Sequence, residues 1–165
     1  MKASARVRYM IDDSGVADLC SAHPYPRNAS LFSFRHKMPV TLYDYLNSKA
    51  ENEFKTWTTQ LQKVERGKLN ARLDWLYIHG TELRPEILAG TGLGGIEKLK
   101  VKGQTQLRPL LCDGPISVGL EFTLLLGARE KGDKWSPKDA PHKALVNKQT
   151  VLKNHSRRKI HERVS

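Results

Sequence analysis

The sequence predicts an α+β domain: a helical hairpin packed on a small antiparallel sheet of three to four strands, closed by a C-terminal helix. Three observations lead there. Apolar residues recur at helical spacing twice between Ala50 and Gly80, the period changes to two after Gly94, and a helix-start signal stands at Ser136-Pro137.

The first helix is read from Phe54, Trp57, Leu61 and Val64, whose steps of 3, 4 and 3 place them on one stripe. Gly67 interrupts it. Leu69, Leu73, Leu76 and Tyr77 repeat the pattern in a second helix ending at Gly80, and Pro85, Gly90, Gly92 and Gly94 mark the following stretch as a loop. In a strand from Ile96 to Lys102, Leu99 and Val101 fall on one side while Lys98, Lys100 and Lys102 share the other. A second strand is expected over residues 105–112, with Pro109 requiring an edge position or a bulge, and a third over 120–128, whose unbroken apolar run suits a central strand. Asp113-Gly114-Pro115 forms the turn between them. Ser136 as cap, Pro137 in the first turn and Asp139 three residues after Ser136 open the last helix, with Ala140, Ala144, Leu145, Val151 and Leu152 as its apolar face.

Residues 1–37, rich in serine and carrying Pro24 and Pro26, read as an extension, with a short strand conceivable at residues 31–34. Residues 38–155 form the predicted domain and 156–165 a basic tail. No stretch approaches the roughly 18 consecutive apolar residues of a membrane-spanning helix. Met1 to Arg6 lead into no apolar segment, and the only cysteines, Cys20 and Cys112, lie far apart, so no secretory signal and no disulfide framework are expected, and a cytoplasmic protein fits best.

Charge is unevenly distributed. The net charge is +11 overall, and the last 71 residues hold fifteen basic and seven acidic side chains, whereas residues 38–94 hold seven of each. A surplus concentrated in this way fits a polyanionic partner such as nucleic acid. The glycine-rich segment Gly90 to Gly95 lacks the Lys-Ser or Lys-Thr ending of a nucleotide-binding loop, no Gly-x-Ser-x-Gly occurs, and the six histidines have no zinc-ligand spacing. No metal and no cofactor are expected. The residues left to carry chemistry are cations on strands: Lys98, Lys100 and Lys102, then Arg108, then Arg129, Lys131 and Lys134. If their strands are neighbours, these cations can clamp a phosphodiester and stabilise charge on its oxygens, although the same pattern suits a solvated sheet face whose lysines discourage edge pairing.

The segments Gly95 to Gly103, Leu107 to Leu110 and Phe122 to Lys131, in that order, resemble the RelE/ParE superfamily of toxin-antitoxin toxins over about residues 54–153. The resemblance implies a RelE-like fold and a toxin that cleaves messenger RNA on the ribosome without a metal, by attack of the ribose 2′-hydroxyl on the adjacent phosphate, with a cognate antitoxin, the ribosome and mRNA as partners. It implies that Lys98 or Lys100 is the general base or its electrostatic partner, that Arg108 binds phosphate, that Arg129 stabilises transition-state charge, and that Lys102 contacts substrate. Lys131, Lys134, Arg157 and Arg158 would add RNA affinity. Trp135 stands where RelE-type members have a tyrosine. Indole stacks on a base but is no practical acid or base near neutral pH, which leaves Glu130 or Lys131 for proton transfer. A ParE-like inhibitor of gyrase and a catalytically inactive RNA-binding module are the alternatives.

Overall fold

The computed structural model describes residues 38–132 and 134–165. The expected extension over residues 1–37 lies outside them.

Chain order is β1 (Thr41–Tyr45), α1 (Glu53–Thr59), α2 (Lys63–His79), a 3₁₀ turn (Gly80–Leu83), β2 (Leu88–Gly90), β3 (Glu97–Leu99), β4 (Gln106–Leu107), β5 (Leu110–Asp113), β6 (Glu121–Leu126), β7 (Arg129–Lys131), β8 (Lys134–Ser136), α3 (Ala140–Lys153) and β9 (Arg158–Ile160). Six strands form one sheet in the order β2-β3-β5-β6-β1-β9, and β4, β7 and β8 form a second, three-stranded sheet.

The fold is α+β, but the expected hairpin on an antiparallel sheet of three to four strands, the RelE-like arrangement, is not what forms. The main sheet is mixed, because β1 runs parallel to β6, pairing Thr41 with Glu121 and Leu42 with Phe122. Three of its strands come from segments without a strand signal, and one of them, β2, lies in the stretch after Gly80 expected to be a loop, where it pairs with β3. β1 hides its alternation because Asp44 is buried, accepting from Asn52 Nδ2 at 2.7 Å and facing His161 Nδ1 at 2.8 Å. The basic tail supplies β9, antiparallel to β1, and the Arg158 side chain is covered by its neighbours: its guanidinium lies 2.7 Å from Glu121 Oε1 and 4.2 Å from the Tyr43 ring centroid.

Two helix boundaries also differ. α1 stops at Thr59 and α2 begins at Lys63, passing through Gly67, since Glu65 reaches back to accept from the Gln62 amide at 3.3 Å and starts the helix early. Leu61 is buried in the turn between them, while Val64 is 70% exposed. α3 begins at Ala140 behind Asp139, whose backbone is left-handed (φ 57°), and Pro141 rather than Pro137 occupies its first turn; Ser136 ends β8 instead of capping.

Burial on both faces explains the layering. Phe54, Leu69, Leu73 and Leu76 of the first two helices pack with Leu42, Leu99, Leu111, Phe122 and Leu124. On the opposite face Ala140, Ala144 and Val151 of α3 pack with Tyr45, Ile96, Leu110, Cys112 and Leu125. The alternation along β5 and β6 thus sends successive side chains into two different cores.

Just past β6, a Cβ on Gly127 would lie 2.1 Å from Trp57 Cδ2, so the indole rests directly on the backbone there. We expect Gly127→Ala to cost about 1–3 kcal/mol by overpacking. Urea titration should show it, and adding Trp57→Leu should recover part of the loss.

Candidate nucleic-acid interface

The second sheet builds the site through its register. Gln106 pairs with Glu130, and Glu130 with Trp135, so these three side chains form a row on one face. Arg108, two residues beyond Gln106, reaches the same row, and Lys98 joins it from β3 of the main sheet. Lys98 Nζ lies 2.8 Å from Glu130 Oε1, and Arg108 Nε lies 2.7 Å from Glu130 Oε2. The other guanidinium nitrogens of Arg108 donate to the Leu107 carbonyl at 3.0 Å and to Gln106 Oε1. Trp135 covers the ammonium, with Lys98 Nζ 5.3 Å from the indole centroid.

Glu130 is the focus of this arrangement. Partial burial pushes its carboxyl upward, but the hydrogen bonds from Lys98 and Arg108 outweigh that and hold it below the ordinary carboxylate range. It is therefore ionised at neutral pH, with 15% of its side chain exposed. The chemistry available is that of an anionic base flanked by two cations, beside an aromatic face.

The remaining expected residues are spread around this cluster. Lys100 Nζ donates to the Pro85 carbonyl at 3.1 Å, at the side of the sheet near β2. Arg129 alternates with Glu130 along β7 and faces the start of α2, where its Nη2 lies 3.3 Å from Glu65 Oε2 and its Nε is buried without a partner. Lys102, Lys131 and Lys134 are exposed. Arg157 donates to the carbonyls of Asn47 and Ser48, at 2.7 and 3.1 Å, and Arg158 is held by Glu121, so both brace the β1 side of the main sheet. The structure brings Lys98, Arg108 and Trp135 together and leaves Lys100 and Arg129 apart from them.

The sequence reading passed over Gln106 and left Glu130 as one of two options. The signal was present in the spacing Gln106-x-Arg108 and in the turn between Arg129 and Ser136, but it becomes specific only once the strands are in register. Among the described residues, no group of three or more His, Cys, Asp or Glu side chains is placed to hold a metal. Cys112 is fully buried, which pushes its thiol up to about 12 and keeps it from acting as a nucleophile.

Comparison with protein-family models, with curated proteins and with solved structures gave no match, so the residues themselves carry the argument.

Because the Glu130 pKa is lowered on folding, its contribution to stability is present above the unfolded-state value near 4.5 and is lost as pH falls through the lower folded value. Urea midpoints from pH 6 to pH 3 should therefore fall more steeply for the wild type than for Glu130→Gln. Parallel curves would exclude this linkage.

Proposed function

We propose that the protein is an endoribonuclease acting without a metal on ribosome-bound messenger RNA, the toxin of a toxin-antitoxin pair. The observation that carries this reading is the Glu130 carboxylate held ionised between Lys98 and Arg108 beneath Trp135. The basic surplus of the last 71 residues and the resemblance of its strand segments to RelE/ParE toxins support it.

In the proposed reaction Glu130 removes the proton of the 2′-hydroxyl as its oxygen bonds to phosphorus. The bond to the 5′-oxygen breaks, the leaving oxygen takes a proton from solvent, and a 2′,3′-cyclic phosphate remains. Lys98 and Arg108 stabilise the charge that grows on the non-bridging oxygens, and Trp135 offers a stacking face to the base. Lys131 and Lys134 pair with each other and alternate with Glu130 and Trp135, so they lie on the other face of the small sheet and add positive charge near the site without joining the row. Lys98 thus acts as the electrostatic partner rather than the base.

A second reading, RNA binding without cleavage, is favoured by one observation: every side-chain nitrogen of Arg108 already has a partner within the fold.

Purified ribosomes translating a defined message, followed by primer extension, separate the two. Cuts that require translation are expected, with Glu130→Gln reducing them by a factor of about 10² or more. RNA affinity without cuts would replace the enzyme reading by the binding one, and cleavage undiminished in Glu130→Gln would remove Glu130 as the base.

A further inference from the structure

A second surface lies along α2, away from the Glu130 row. Lys68, Arg72, Trp75 and His79 follow one another at steps of 4, 3 and 4, which places them on one stripe of the helix. Trp75 is 49% exposed, an unusual investment for the largest apolar side chain. It is held from both sides along the helix: the Arg72 guanidinium carbon lies 5.0 Å from its ring centroid, and the His79 ring lies 6.1 Å away at a 66° interplanar angle.

Beside this stripe the backbone after β3 forms the wall of a groove. Lys68, Ala71, Arg72, Trp75, Val101 and Lys102 enclose a hollow of about 320 Å³. A second hollow of about 210 Å³ continues toward the start of α2, sharing Lys68, Val101 and Lys102 with the first and reaching Gln62 and Thr105. The floor is apolar where Val101 closes it, and the rim is cationic. Lys68 and Lys102 are exposed, and among the described residues neither meets a carboxylate. The one carboxylate lining the groove, Glu65, is engaged by Arg129 at 3.3 Å. Asp74, the next acid along α2, is turned to another side, where Arg163 holds it at 3.0 Å.

We infer that this groove binds single-stranded RNA, with a base stacked on Trp75 and successive phosphates held by Lys68, Arg72 and Lys102. Charge complementarity decides the occupant: an open track with three cations, its one acid already paired, and an aromatic face half in solvent fits a flexible polyanion with exposed rings. A protein partner of ordinary composition would leave these cations uncompensated. The choice of RNA over DNA rests on the function proposed above; the stacking and phosphate contacts do not.

The test uses the full chain and follows the anisotropy of a labelled oligouridylate, which is free of the ribosome and so is no substrate of the proposed reaction, across a salt series. Trp75→Ala should weaken binding about 10-fold, while Trp75→Phe, which keeps a stacking face, should retain most of it. Lys68→Gln with Lys102→Gln should reduce the salt slope by about 1.4, because two phosphates are then no longer neutralised. Unchanged urea midpoints would show that these exposed positions act on binding rather than on folding. Wild-type affinity and salt slope in both variants would overturn the groove, whether or not the Glu130 row cleaves RNA. Equal, Trp75-dependent binding of an oligothymidylate would overturn the assignment to RNA. Absence of cleavage by the protein with native Glu130, alongside Trp75-dependent binding, would fail the enzyme reading alone and support the groove.

Discussion

Everything in this domain follows from a sheet that must be covered on both faces. β5 and β6 contribute Leu110, Leu111, Cys112, Phe122, Leu124 and Leu125, each no more than 1% exposed, and they alternate between two cores. One helical layer cannot satisfy such strands. α1 and α2 therefore take one face and α3 the other, and the edge that β6 would present is closed by β1 and then β9. With the central strands apolar on both faces, the Glu130 row is built on a small second sheet, with Lys98 reaching across from the main one.

The junction between the sheets is partly ionic. Glu130 is shared by Lys98 from the main sheet and Arg108 beside the second, so one carboxylate adds to the backbone bridge between Val101 and Leu107 that also joins them. The pairing of Arg158 with Glu121 works in the same way at the other side, with side chains 7% and 8% exposed. Removing one partner of so buried a pair costs about 3–5 kcal/mol because the other is left uncompensated. Such pairs specify arrangement more than they add stability. In the Glu130 cluster the ions that position the strands are also the ones assigned to the phosphodiester in the proposed reaction.

Charged residues with the same appearance in the sequence have separate fates. Lys68 and Lys102 stay in solvent along a groove, Lys98 is drawn beneath Trp135, and Arg158 is buried against Glu121. A count of basic residues therefore raises the expectation of a polyanionic partner without locating a surface for one. The basic tail illustrates this most clearly, since Arg157 and Arg158 hold the sheet together through Asn47, Ser48 and Glu121.

Much was legible in the sequence itself. The helical stripe through Leu69, Leu73 and Leu76, the apolar run of β6 and the alternation that turns Leu99 inward and Lys98 away from it are local patterns, set by periods of 3.6 and 2 that any reader of the chain can measure. The pairing of β1 with β6, the recruitment of β9 and the meeting of Lys98, Arg108, Glu130 and Trp135 belong to the tertiary structure. Strand registry joins residues as far apart as Tyr43 and Ile160, and buried polar groups such as Asp44 and Arg158 look like surface residues until their partners are in place. Periodicity shows which side chains share a face. Only the assembled sheets decide what that face meets.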